Sequence, residues 1–154
     1  MILKPLDNTF EFPEAATPSG LFKYIAEFNG YMFFDTDITG YTPDEITQDY
    51  FFCNRIDLVT KRQNTSQFKY DGFLFVAVPT NIGQEVNASS FDNGQFTDVV
   101  EGLITKEFIR QLEKYFICSN IEMLINNLRP LYNSVKYTKA TNCTGVEISY
   151  SLWI

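Results

Sequence analysis

Side-chain oxygen atoms at alternate positions form the one pattern in this sequence that suggests cation binding. The pattern lies in residues 35–40 and consists of Asp35, Asp37, Thr39 and Gly40. A calcium loop begins in this way, but its closing carboxylate belongs at the twelfth position, which is Ile46 here. Thr42-Pro43-Asp44-Glu45 is typical of a capping box, so an acidic turn leading into a helical turn explains these residues better. Whether the turn holds an ion stays open.

Paired carboxylates are the other candidates for chemistry, because two Asp or Glu side chains can divide the roles of general acid and general base. The candidate pairs are Asp35 with Asp37 and Asp44 with Glu45. Neighbours in sequence rarely converge on one substrate, so we interpret them as solvated turn carboxylates. The sequence contains no histidine, which excludes Ser-His-Asp and Cys-His nucleophile pairs and metal sites built on imidazole. We therefore expect no enzymatic activity and no cofactor.

The cysteines and the net charge exclude further classes of function. Cys53, Cys118 and Cys143 are far apart and form no CxxC pair, which indicates reduced thiols and too few ligands for a structural metal. The 19 Asp and Glu residues outnumber the 12 Lys and Arg residues, which argues against sequence-independent binding to nucleic-acid phosphates. We find neither a signal-peptide pattern nor an apolar run that spans a bilayer. We expect a protein of a reducing compartment, released by lysis if at all.

Helical periodicity predicts two helices of different length. Thr17 as N-cap and Pro18 at the first helical position begin a short amphipathic helix, which ends at Asn29-Gly30. Apolar residues recur at helical spacing over residues 99–117 and predict a longer helix that is buried over more than one face. Gly102 lies inside this helix at a cost of about 1 kcal/mol relative to Ala, which we interpret as a close-packing contact.

Alternating apolar residues predict the strands of a sheet. Residues 50–62 and 68–78 form a long hairpin with a polar tip. The second of these strands is apolar on both faces, so we expect it in the centre of the sheet. Residues 31–34 predict a short buried strand. The clearest strand spans residues 144–154, where Trp153 on the nominally polar face indicates that this face is covered as well.

Two further segments are harder to interpret. Residues 121–128 are compatible with either a strand or a second helix, and Arg129-Pro130 predicts a break before an alternating segment at residues 131–139. Residues 79–95 form a long polar loop. Loops of this length inside compact domains are usually functional or in contact with a partner.

These elements predict an α+β fold with a mainly antiparallel sheet, which contains a long hairpin and is packed by one short and one long helix. We expect a single α+β domain over residues 17–154, preceded by an irregular N-terminal arm over residues 1–16. Aromatic residues make up 16% of the sequence, and we assign the surplus over the needs of one core to a subunit interface. The candidate interface residues are Phe10, Phe12, Phe73, Phe75 and Trp153.

The order of elements over residues 17–154, closing on the strand Thr144-Gly145-Val146-Glu147-Ile148-Ser149-Tyr150-Ser151-Leu152, resembles the tail-terminator and head-tail connector (neck-ring) proteins of tailed bacteriophages. The resemblance implies a non-enzymatic virion structural protein that assembles as a ring oligomer and contacts other head, neck or tail proteins. It also implies location in the virion, with the host cytoplasm as the site of assembly, and no sequence-specific nucleic-acid partner. The arm at residues 1–16 and the loop at residues 79–95 are additions to the family's compact pattern.

A second hypothesis comes from the aromatic residues of the predicted sheet. A small cytosolic module could use an aromatic sheet face to bind a ligand or a peptide. One deep aromatic pocket in a monomer would favour this alternative over the ring subunit.

Overall fold

Seven secondary-structure elements lie in the described part of the chain. The structure, a computed structural model, describes residues 3–7, 10–12, 17–35, 50–80, 101–102, 106–134 and 142–154. The elements in chain order are α1 (Pro18–Phe28), β1 (Met32–Asp35), β2 (Phe51–Lys61), β3 (Phe68–Thr80), α2 (Lys106–Ile117), β4 (Glu122–Ser134) and β5 (Asn142–Trp153). The protein is therefore α+β, with two helices and a five-stranded sheet in the described part of the chain.

The sheet has the strand order β1-β2-β3-β5-β4. β1 runs parallel to β2, whereas the β2–β3, β3–β5 and β4–β5 pairs are antiparallel, so the sheet is mixed and mainly antiparallel. β3 lies between two neighbours, as its two apolar faces predict. Leu74 and Val76 are buried towards the helices, and Phe75 and Ala77 are buried on the opposite face.

α1 begins and ends where its sequence signals predict. The Thr17 hydroxyl accepts a hydrogen bond from the Gly20 N–H at 3.1 Å, and Pro18 occupies the first turn. Asn29 caps the other end, and Gly30 follows with φ of +77°, a conformation that favours glycine. The apolar side of α1 is fully buried and consists of Leu21, Phe22, Ile25 and Ala26.

α2 packs on the same side of the sheet as α1. Its buried residues are Phe108, Leu112, Tyr115 and Phe116, and they share one core cluster with α1 and with alternate residues of β3 and β5. Residues 101–102 are helical too, but residues 99–100 and 103–105 lie outside the described part of the predicted longer helix. We call the side of the sheet that the helices contact the helix face.

The opposite face of the sheet carries a second buried cluster near the start of β2. Its members are Phe34, Phe51, Cys53, Phe75, Ala77, Leu131 and Cys143. Strands that are buried on both sides explain why runs such as residues 51–53 and 74–77 are continuously apolar. The structure does not describe two features that were predicted from the sequence. They are the capping box at residues 42–45 and most of the loop at residues 79–95.

The predicted break at Arg129-Pro130 is wrong. β4 continues through Pro130, which is in register with Val146 of β5, so residues 122–134 form one strand. Pro lacks the N–H that a central strand needs, but an edge strand has one unpaired side where this loss costs nothing. Among the described strands β4 is such an edge, because it pairs with β5 alone.

β3 and β5 approach each other closely at Gly145. A Cβ atom at this position would overlap the Val76 carbonyl oxygen and lie 2.6 Å from the Ala77 Cα atom. Neither contact can be relieved by turning a flexible side chain, because both atoms belong to the backbone of β3. Glycine is therefore required for this strand pair to close.

We expect Gly145→Ala to lower the free energy of unfolding by about 2–3 kcal/mol or more, because the methyl group pushes β3 and β5 apart. Urea titration followed by circular dichroism measures the loss. Ser149→Ala on the same strand, at a half-buried position, is the control and should change stability much less. Equal stability of Gly145→Ala and the native protein would contradict the close approach.

Candidate functional site

The residues that could do acid–base or cation chemistry are largely outside the described chain. Asp35 is described: it ends β1 and accepts a hydrogen bond from the Ser19 hydroxyl at 2.7 Å. Asp37, Thr39, Gly40 and the pair Asp44 and Glu45 fall in the undescribed residues 36–49. Within the described residues, no group of three or more His, Cys, Asp or Glu side chains is placed to hold a metal ion.

Asp35 is the outer end of a chain of hydrogen bonds that reaches into the core. The Tyr150 hydroxyl donates to the Asn54 side-chain oxygen at 2.6 Å, and the Asn54 amide donates to the Ser19 hydroxyl at 2.8 Å. Asn54 is fully buried, so both of its polar ends need these partners. Burial raises the pKa of the Tyr150 hydroxyl, which therefore stays protonated and acts as a donor. The chain joins the sheet to the start of α1.

Glycine at position 72 makes room for this arrangement. A Cβ atom there would lie 2.8 Å from the Tyr150 hydroxyl oxygen and would overlap the carbonyl oxygen of Arg55. The chain of hydrogen bonds was not predicted from the sequence. Its only signal is a polar Asn54 directly after the apolar residues 51–53. We interpret the network as structural, since each of its members has a hydrogen-bond partner within the network.

Tyr150→Phe should cost about 1–3 kcal/mol of unfolding free energy, because it leaves the buried Asn54 oxygen without its donor. Chemical denaturation monitored by fluorescence measures this cost. Tyr132→Phe, at a position that is 53% exposed, is the matched control and should be close to neutral. If both substitutions were neutral, the hydrogen bond would contribute nothing to stability.

Two of the predicted interface residues lie on the N-terminal arm. The Phe10 ring is edge-on to Phe12, Tyr24, Phe28 and Tyr115, with centroid distances of 4.7–5.4 Å. Phe12 also contacts Phe116 at 5.4 Å. The arm thus packs on α1 and α2 of its own chain, and both rings are half-buried.

The other three predicted interface residues lie on the face opposite the helices. Phe75 is 1% exposed and belongs to the second core cluster. Phe73 and Trp153 are half-buried, and each carries a cation over its ring: Arg55 at 5.0 Å from the Phe73 centroid and Lys69 at 5.7 Å from the Trp153 centroid. The role of all five residues at an interface stays a prediction, and the last two rings are the ones on a partly open sheet surface.

Apolar side chains are exposed where the hairpin extends beyond the helices. On the helix face, Ile56, Val59 and Phe68 are 37%, 50% and 40% exposed. Tyr70 and Ile154 continue this surface towards the core, because Val59 is in register with Tyr70 and the Phe68 N–H donates to the Ile154 carbonyl oxygen at 2.8 Å. We call these five residues the hairpin patch. The sequence predicted the hairpin but not which of its residues remain uncovered.

A groove of about 660 Å³ separates the N-terminal arm from α2. It is lined by residues 4–6 of the arm and by side chains between Arg110 and Cys118 on α2 and the turn after it. We call it the α2 groove. A smaller cleft of about 370 Å³ lies at the start of α1, next to Asp35.

The three thiols differ in exposure. Cys118 is exposed at the edge of the α2 groove, whereas Cys53 and Cys143 are buried in the second core cluster. Burial raises the pKa of Cys143 to about 12, and the thiolate is the reactive form of cysteine. None of the three forms a disulfide in the structure, and their reduced state stays a prediction.

At pH 8 we expect one thiol per folded chain to react rapidly with a chromogenic disulfide reagent and three to react after unfolding in guanidinium. The fast thiol is Cys118, so Cys118→Ser should remove the fast phase and leave the two slow thiols. A fast phase that persists in Cys118→Ser would contradict the burial of the other two side chains.

Neither a protein-family model nor a curated protein matches this chain. The likeness to phage ring proteins therefore stays a resemblance in the order of elements. Among the described residues, the structure contains no helix that is both long and apolar enough to cross a membrane.

Proposed function

We propose that this chain is a non-enzymatic structural protein of a phage virion, a ring-forming subunit of the head-tail connector or tail terminator. It would assemble in the host cytoplasm and remain in the virion, in contact with other head, neck or tail proteins. The observation that carries the proposal is the hairpin patch, an apolar surface that α1 and α2 leave partly exposed.

The hairpin patch has the composition of an interface core rather than of an ordinary surface. Phe68 and Tyr70 lie side by side with ring centroids 6.4 Å apart, and Val59 adds an aliphatic side chain that is half exposed. Aromatic residues are enriched in the buried centres of protein interfaces, and adjacent exposed apolar residues on a soluble domain usually mark a binding surface. Covering this patch with a neighbouring subunit would remove it from water.

Among the described strands, the part of β2 next to the patch is at an edge of the sheet, and it carries two features that oppose backbone pairing with another strand. A bulge interrupts the register between Ile56 and Leu58, and the Arg55 and Asp57 side chains form an exposed ion pair at 3.1 Å. Bulges and charges are the usual means by which edge strands avoid uncontrolled sheet extension. We therefore expect side-chain packing, rather than an added strand, to form the contact at this end of the hairpin.

The high aromatic content of the sequence is weak support for assembly, because the protein's own core uses many of these rings. Most of the large side chains that are fully buried within the chain are aromatic, among them Phe22, Phe51, Phe52, Phe108 and Phe116. A sheet that is buried on both faces needs this many rings for its own two clusters. The proposal therefore rests on position and exposure, not on composition.

The alternative, a ligand- or peptide-binding module with an aromatic sheet face, would use Phe73 and Trp153. Both rings lie on the partly open face, but the Arg55 and Lys69 side chains cover them. Neither the α2 groove nor the cleft at α1 includes either ring. A protein that stays monomeric at high micromolar concentration and binds a small ligand through these rings would establish this alternative instead.

For the ring subunit we expect oligomers in sedimentation velocity and closed rings in negative-stain electron microscopy at high micromolar concentration. Val59→Asp should raise the concentration at half-assembly at least about tenfold, because the interface loses a buried apolar side chain and gains a charge. A strictly monomeric native protein without rings would refute the proposal.

Leu124→Asp is the matched control for Val59→Asp. Leu124 is 54% exposed but lies on β4, outside the hairpin patch, so its substitution should leave a contact made through the patch unchanged. Circular dichroism should show both variants folded. An equal loss of assembly in the two variants would assign the interface to general surface charge and not to the hairpin patch.

A further inference from the structure

Positive charge is concentrated on one side of α2 in an otherwise acidic protein. Lys106, Arg110 and Lys114 follow one another at intervals of four residues and are exposed, so they form a stripe along the helix. Lys4 of the arm joins them across the α2 groove. These four residues are a third of the 12 Lys and Arg residues, which leaves 8 against the 19 Asp and Glu residues of the chain. Three of the four, Lys4, Arg110 and Lys114, line the groove, which is therefore a basic site on an acidic background.

The wall of the groove that the arm provides is held in place. The Lys4 N–H donates to the Asn29 side-chain oxygen at 2.6 Å, and the Tyr115 hydroxyl donates to the Lys4 carbonyl oxygen at 2.7 Å. One residue earlier, the Leu3 N–H donates to the Gln111 side-chain oxygen at 3.2 Å, and Leu3 is fully buried. A wall that is already ordered does not have to lose conformational entropy when a ligand binds.

The groove combines this charge with apolar surface. Leu6 is half-buried on the arm side, and Ile117 is 67% exposed on the α2 side. Of the described residues that line the groove, Glu113 alone is acidic, against Lys4, Arg110 and Lys114. Such a site fits a segment that carries carboxylates together with an apolar side chain. A nucleic-acid backbone fits it less well, because it offers phosphates alone and would meet Glu113.

We infer that the α2 groove receives an acidic segment of a second copy of this chain and so forms a contact between neighbouring ring subunits. The inference rests on the proposed ring function. The second copy is the partner that charge complementarity favours, since the sequence outside the groove is strongly acidic. Residues 35–49, for example, contain five Asp and Glu residues together with apolar side chains and no Lys or Arg. The groove and residues 35–49 belong to different parts of the chain, as the two sides of a head-to-tail ring contact must.

Charge complementarity of this kind makes assembly depend on salt. The distance over which exposed charges attract falls from about 10 Å at 0.1 M salt to about 3 Å at 1 M. Assembly through the groove should therefore weaken steadily as salt is added. An interface made by the hairpin patch alone would respond little or in the opposite direction.

The test compares two charge reversals of equal size on exposed helix positions. Arg110→Glu alters the groove, and Lys23→Glu alters α1 outside it, so both variants have the same net charge. Arg110→Glu should raise the concentration at half-assembly at least about tenfold at 0.1 M salt. Lys23→Glu should change it less than about twofold, and thermal unfolding should show both variants folded.

Cys118 supplies a second measurement that does not depend on substitution. It lines the groove, so its alkylation rate should fall at least tenfold when the native protein assembles and recover on dilution. If rings form while Cys118 stays reactive and Arg110→Glu assembles normally, the groove contact is refuted and the ring function stands. If the native protein forms no ring at all, the groove contact and the ring function are both refuted.

Duplex DNA is the competing occupant in this experiment. We expect fluorescence anisotropy with a labelled duplex at 0.15 M salt to show the same result for the native protein and for Arg110→Glu, namely no binding through the groove. Binding that depends on Arg110 would overturn the inference in favour of a nucleic-acid site.

Discussion

The pairing of β3 with β5 is the constraint on which the rest of the structure depends. Twelve residue pairs, from Lys69 with Trp153 to Thr80 with Asn142, join strands that are distant in sequence. This pairing makes β3 a central strand and leaves β4 at the edge. It also places Tyr150 against Asn54, so that the polar link to α1 can form. The closeness that Gly145 permits is therefore a condition for the helix layer as well as for the sheet.

The mismatch between helix length and strand length determines which apolar side chains of the sheet stay exposed. α1 and α2 have 11 and 12 residues and are about 16–18 Å long, whereas the 13 residues of β3 extend over about 43 Å. Two helices of this length do not cover such strands from end to end, and Phe10 and Phe12 of the arm pack on the helices. The uncovered length is where the hairpin patch lies, and the outer side of α2 is where positive charge collects.

Local signals in the sequence predicted much of the fold. Thr17 and Pro18 mark the start of α1 because they act within one helical turn. Residues 68–78 are apolar at both odd and even positions because β3 is buried on both faces, and this pattern placed β3 correctly in the centre of the sheet. Pro130 misled the prediction because its effect depends on whether a strand is at an edge, which is a property of the whole sheet. The parallel pairing of β1 with β2 is likewise a tertiary property.

The candidate sites were harder to predict than the fold. The spacing of Lys106, Arg110 and Lys114 is visible in the sequence, but only the hydrogen bonds from Lys4 to Asn29 and from Tyr115 to Lys4 bring Lys4 to the same place. Val59 and Phe68 are exposed because the helices end before they reach these residues. No local sequence pattern predicts where the helices end relative to the strands. Contacts between distant segments therefore define both surfaces.

The strand order also has a consequence for synthesis on the ribosome. β5 is made after β3 and β4 but lies between them, and within the described residues β4 has no other pairing partner. At about 5–20 residues per second, the ribosome needs roughly 3–12 s to advance from Thr80 to Asn142. During this interval the nascent chain exposes an apolar strand edge and incomplete core clusters. We expect the emerging chain to need shielding by chaperones, because these apolar surfaces stay exposed to water until β5 joins the sheet.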